Sequence, residues 1–170
     1  VLKAATSDFI ANDALYLAML IGDNSYMDTT YAALSTFARA DLLLYQNKLD
    51  SAKMALDSIE EFHPGHSLID DILFKRAEIA ERENNIELAI EYYGRIQSDF
   101  SEDLLADDAI YRLAQLHETK LNQTAKAMEH YQNLLLHYPG SLYTVEARKR
   151  YRALRGDLLN WYVSLSYADL

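Results

Sequence analysis

The sequence predicts an all-α fold of stacked antiparallel helical hairpins, on three observations. The 170 residues include only five Gly and two Pro, well below an average usage of about 12%, which leaves too little turn material for an all-β fold. Apolar residues recur at i, i+3 and i+4 over long stretches, as amphipathic helices require. The pattern also repeats. Phe37, Phe74 and Tyr111 are spaced by 37 and 37, as are Ala40, Ala77 and Ala114. Spacings of 37 and 38 separate Asn47, Asn84 and Asn122; Ala52, Ala89 and Ala127; Leu56, Tyr93 and Tyr131; Ile59, Ile96 and Leu134; and Pro64, Ser101 and Pro139. The one extra residue of the third unit therefore lies between Ala114 and Asn122.

The elements follow in order. Residues 1–27 read as an N-terminal capping helix with its body over Asp8 to Ile21, because Asn12-Asp13-Ala14-Leu15 echoes Asp70-Asp71-Ile72-Leu73 and Asp107-Asp108-Ala109-Ile110. Residues 31–139 form three repeats. In the first, Phe37, Ala40, Leu43 and Leu44 mark one apolar helix face, and Ala52, Leu56, Ile59 and Phe62 mark the next. The paired alanines let two antiparallel helices approach closely. The repeated Asn falls where the first helix of each pair ends, since Asn tolerates the left-handed conformation that terminates helices. Pro64 and Pro139 follow the second helix, which proline cannot continue. The doublets Asp70-Asp71 and Asp107-Asp108 fall in a first helical turn, where negative charge offsets the exposed N–H groups, and Ser67 with Asp70 resembles a capping box. Residues 141–156 read as a basic C-terminal capping helix and 157–170 as an apolar tail holding the single Trp. Starting at Val1 with no initiator Met, the chain is expected to be a piece of a longer protein.

Composition excludes several chemistries. With no Cys there is no disulfide framework, thiolate metal site or cysteine nucleophile. A formal net charge of −10 argues against nucleic acid as the default partner, which calls for a basic footprint. Apolar runs such as Ala14 to Ile21 fall far short of the roughly 20 residues that cross a bilayer. At this length a chain buries roughly two thirds of its unfolded surface and holds a core without staples. No catalytic, metal or cofactor constellation emerges. His63 and His66 flank a Pro-Gly turn without a third ligand. His117 takes a position filled by Leu43 and Ala80, so a partly buried structural imidazole is expected, while His130 and His137 are expected at the surface. Arg155-Gly156-Asp157 reads as helix termination. The charge is split: residues 1–141 hold 11 basic and 23 acidic groups, whereas Leu142 to Arg155 hold five basic and one acidic.

The repeat resembles the tetratricopeptide repeat, best in the third unit, where Leu113-Ala114, Ala127, Tyr131, Leu134, Tyr138 and Pro139 stand in family register. Its unit is longer than the usual ~34 residues, Arg39 and Arg76 replace a customary Leu, and the family's early Trp is missing. The longer unit, with its His-Tyr-Pro-Gly-Ser stretch at 137–141, is most similar to repeats of bacterial cell-envelope proteins. The resemblance implies a right-handed α-α superhelix and a non-catalytic protein–protein interaction scaffold, part of a larger bacterial protein, that holds a peptide or partner helix in a concave groove.

That groove would be lined from first-helix positions: Phe37, Asp41, Leu44 and Tyr45, then Phe74, Lys75, Glu78 and Arg82, then Tyr111, Arg112, Gln115 and Thr119. The result is an aromatic row beside an acidic row, suited to a partner with apolar anchors and basic flanks. Carboxylate capture of the chaperone-tail kind is disfavoured, because Phe37, Asp41 and Glu78 occupy the positions concerned. In the competing reading the rings simply pack between repeats. Two other roles stay open: self-association through the 158–170 tail, and binding of RNA or anionic membrane by the basic patch of Arg148, Lys149, Arg150, Arg152 and Arg155. The alternative for that patch is a solvated cap. The compartment, cytoplasmic or periplasmic, is left open by the sequence.

Overall fold

A computed structural model describes residues 14–15, 17–25 and 30–156. The expected capping helix falls partly, and the apolar tail wholly, outside them. Among the described residues the regular structure is all helical, and the chain divides into two compact units, Val1–Ile72 and Leu73–Leu170.

In the first unit, helical residues 17–24 precede α1 (Ala32–Tyr45) and α2 (Leu49–Phe62). The two labelled helices pack on each other. Phe37, Ala40 and Leu44 from α1 and Ala52, Leu56 and Ile59 from α2 are all buried, as the i, i+3 and i+4 pattern requires. The unit runs into α3 (Ile69–Arg82), whose first turn carries Asp70 and Asp71. Both are buried. Asn24, itself buried, donates from Nδ2 to Asp71 Oδ2 at 3.3 Å, and the Ser67 hydroxyl donates to Asn24 Oδ1 at 2.6 Å. The doublet therefore does more than offset a helix terminus: Asp71 ties its helix to an element 47 residues earlier.

The second unit continues α3 and adds α4 (Ile86–Asp99), α5 (Ala106–Thr119), α6 (Thr124–His137) and α7 (Thr144–Arg155). α5 packs between α4 and α6, and α6 packs against α7. Ile110, Ala114, Ala127, Tyr131, Leu134 and Ala147 form one buried cluster. Ala77 and Ala89, like Ala114 and Ala127, are fully buried, so the repeated methyl groups sit where helices meet.

The turns repeat as closely as the helices. Asn47, Asn84 and Asn122 have φ of 58°, 57° and 52°, the left-handed conformation expected of them. In the first two, the backbone N–H groups of Asn47 and Lys48 bond to Leu44 and Leu43, and those of Asn84 and Asn85 bond to Glu81 and Ala80. This is the double bond set of a Schellman cap. In the third, Gln123 N–H reaches six residues back to the His117 carbonyl. Leu43, Ala80 and His117 are evenly spaced, so the extra residue of the third unit is absorbed between His117 and Gln123. Each second helix ends on an equivalent bond, from His63, Phe100 and Tyr138 to Ile59, Ile96 and Leu134. α7 ends at Gly156 with φ 86°, which makes the Arg-Gly-Asp string helix-terminating chemistry.

Candidate functional site

The first-helix positions divide between the two units. In the first unit Phe37 is 2% exposed. Its ring belongs to the core of its unit rather than to a groove, because burying an aromatic of this size contributes about 1.5–3 kcal/mol. Leu44 is buried too, whereas Asp41 is exposed and Tyr45 is 86% exposed.

In the second unit the expected residues are all half-buried or exposed. Phe74 is half-buried and meets Tyr93 edge-on at 5.2 Å between centroids. Tyr111, also half-buried, stacks on Tyr143 at 4.3 Å with planes 12° apart, and tilts against Tyr131 at 6.1 Å. Each ring thus has one side held by a fixed aromatic, an arrangement that stabilises and orients it. Polar groups surround the rings. Lys75 Nζ lies 3.2 Å from Glu78 Oε2 within one helical turn. Arg112 and Glu78 both act on Tyr93 and on Asp108, which places α3 and α5 charges within electrostatic reach of one another. The Gln115 side chain acts on the Tyr111 hydroxyl in the lowering direction. Arg112, Arg82 and Thr119 are exposed.

Burial sets the electrostatics of this surface. It raises the Tyr111 hydroxyl above its ordinary pKa, with the Glu146 carboxylate adding to it. It also raises Asp108, against the hydrogen bond that the carboxylate accepts from Tyr143. Tyr143 itself is pushed up by burial and then by Asp108.

Two supports were missed by sequence reasoning. Tyr93 donates to Glu81 Oε1 at 2.7 Å, and Tyr131 donates to Glu118 Oε2 at 2.8 Å. Glu81 and Glu118 stand in register with Leu44, and the two tyrosines with Leu56, so an apolar pair in one repeat becomes a hydrogen-bonded pair in two others. The pair changes as a unit because a buried polar group without a partner costs about 1–3 kcal/mol. The regular 37-residue spacing of the two glutamates was the available signal. Tyr143 was missed because its register positions are Leu68 and Leu105, which gave no hint of a hydroxyl.

The basic patch is only partly solvated. Arg150 bonds to Glu118 through Nη2 at 2.6 Å and Nε at 3.1 Å, and this pairing raises its pKa. Lys149 lies 3.6 Å from Glu146, and Arg155 sits over the Tyr151 ring at 5.5 Å. Arg148 and Arg152 are exposed.

The histidines split as well. His117 is buried and its Nδ1 bonds to Gln123 at 2.9 Å, the structural role expected. His130 corrects the surface expectation: it is half-buried, stacks on His117 at 5.3 Å with planes 6° apart, and its Nδ1 is buried without a hydrogen-bond partner. Ala127 and Tyr131 face the core from the same helix, and the imidazole follows them inward by stacking on His117. Among the described residues no three His, Asp or Glu side chains are grouped to hold a metal ion, and no helix is long and apolar enough to cross a membrane.

The sequence profile of the tetratricopeptide repeat matches residues 71–103 and 108–141. These two segments are tetratricopeptide repeats. The matched segments cover most of α3 through α6, the hairpins that present Phe74, Glu78, Tyr111 and Gln115. No curated protein matches the chain. Repeats of this family generally serve as protein–protein interaction modules.

Proposed function

We propose that the chain is a non-catalytic scaffold that holds a peptide or partner helix on the α3–α5 surface of its second unit. The observation that carries the reading is the pair of half-exposed rings, Phe74 and Tyr111, each fixed by a neighbouring aromatic. Rings already ordered lose little freedom on binding, so more of the contact energy appears as affinity. Glu78 beside Phe74 favours a partner whose apolar anchors carry basic flanks. Asp41 and Tyr45, exposed in the first unit, supply the same chemistry there. The length of the repeat unit supports a place within a larger bacterial cell-envelope protein.

Selection of displayed random peptides on the full chain tests this reading. Recovered peptides should combine aromatic or large aliphatic residues with Lys or Arg. A pool without that bias refutes it.

A further inference from the structure

α7 stands 38 residues after α5 in repeat register. Ala109, Leu113 and Leu116 of α5 correspond to Ala147, Tyr151 and Leu154 of α7. Ala147 is buried and the other two pack on the cluster that includes Ala127 and Tyr131, so α7 is seated as the first helix of a hairpin. The other side of α5 receives its second helix: Ile110 and Ala114 share that cluster with α6, and His117 stacks on His130 of α6. Thirty-eight residues later those three positions are Arg148, Arg152 and Arg155.

The side of α7 that would accept a second helix is therefore a row of guanidinium groups. Lys149 and Arg150 are occupied by Glu146 and Glu118. Arg148 and Arg152 are exposed and form no ion pair among the described residues. Val145, one turn before Arg148 and Lys149, is exposed as well.

The geometry points to this row as a docking edge for an acidic helix of a partner protein, laid where the second helix of a hairpin would lie. At about 1.5 Å of rise per residue the three arginines span roughly 10 Å. That length matches carboxylates at i, i+4 and i+7 of one facing helix. An extended polyanion fits less well, because a membrane or RNA would also meet a chain of net charge −10, with 23 acidic groups in residues 1–141. Long-range repulsion of that kind penalises a broad partner more than a single helix.

The test uses the full chain and a displayed library of amphipathic helices with free choice at their polar positions. Helices recovered on the protein should carry carboxylates at i, i+4 and i+7. They should bind Arg148→Glu/Arg152→Glu about ten-fold or more weakly, and Arg148→Gln/Arg152→Gln to an intermediate degree, while Phe74→Ala leaves their binding unchanged. Circular dichroism of the variants should match the parent, since both arginines are exposed. Recovery of helices without acidic residues, or equal binding to the charge-reversed variant, overturns the inference. So does arginine-dependent binding of phosphatidylserine vesicles or poly(U) RNA when no acidic helix binds.

Discussion

Replacing Asn84 separates backbone conformation from side-chain contact. The residue holds φ 57° while its own N–H bonds to Glu81 at 3.0 Å and the next N–H bonds to Ala80 at 2.8 Å. A Cβ in the left-handed region costs about 1–2 kcal/mol for most residues, and Asn offsets part of this through its short polar side chain. Asn84→Ala should therefore cost about 1 kcal/mol. Asn84→Gly removes the steric cost but loses about 0.5–1 kcal/mol to the freer unfolded chain, leaving it near neutral. For a chain of this size 1 kcal/mol corresponds to a Tm shift of about 2–4 °C. Gln46→Ala, at the exposed position that precedes Asn47 in the first repeat and has φ −75°, supplies the comparison for a cap residue outside the left-handed region and should change stability by less than about 0.5 kcal/mol. Urea and thermal melts followed by circular dichroism give the values. Equal stability of the Ala and Gly variants, or a loss at Asn84 no larger than at Gln46, would refute the cap argument.

Gly94 lies inside α4, and a Cβ there meets nothing within 4 Å; Gly94→Ala should add about 0.5–1 kcal/mol in the same melts. Tyr131 and Arg150 both bond to Glu118, so Tyr131→Phe and Arg150→Ala should be non-additive, with a coupling of at least about 0.5 kcal/mol in a double-mutant cycle. His117 and His130 are both held below the ordinary imidazole value of 6.5, chiefly by burial. The unfolded chain then binds protons that the folded chain does not, so stability is fully present above pH 6.5 and falls as pH drops below it. His117→Leu, which copies Leu43, should flatten that dependence; an unchanged slope would remove the stacked pair as its cause.

Much of the fold was legible because its rules are local. The Asn caps, the buried alanines and the alternation of helix and turn each follow from residue type and spacing, and a repeat states them three times. First-helix register also put Phe74, Glu78, Tyr111 and Gln115 at equivalent positions, and all four are half-buried. Register could not tell which of two equivalent rings stays exposed. Phe37 and Phe74 look alike in sequence, but one is core and the other half-exposed against Tyr93. The Glu118–Arg150 bond joins groups 32 residues apart, and Tyr143 reaches Asp108 across 35; such pairings depend on how hairpins stack. His130 moved inward for the same reason, drawn by a ring on another helix.

The central claim is that the α3–α5 surface of the second unit binds a basic, apolar-anchored segment. Its most direct measurement is the affinity of a selected peptide for the parent chain and for Glu78→Lys, read by fluorescence anisotropy, with Phe74→Ala as a second variant checked for an unchanged helical spectrum. Reversing one charge beside the anchor should weaken binding about ten-fold, and removing the ring should do at least as much. Equal affinity for all three proteins would contradict the account.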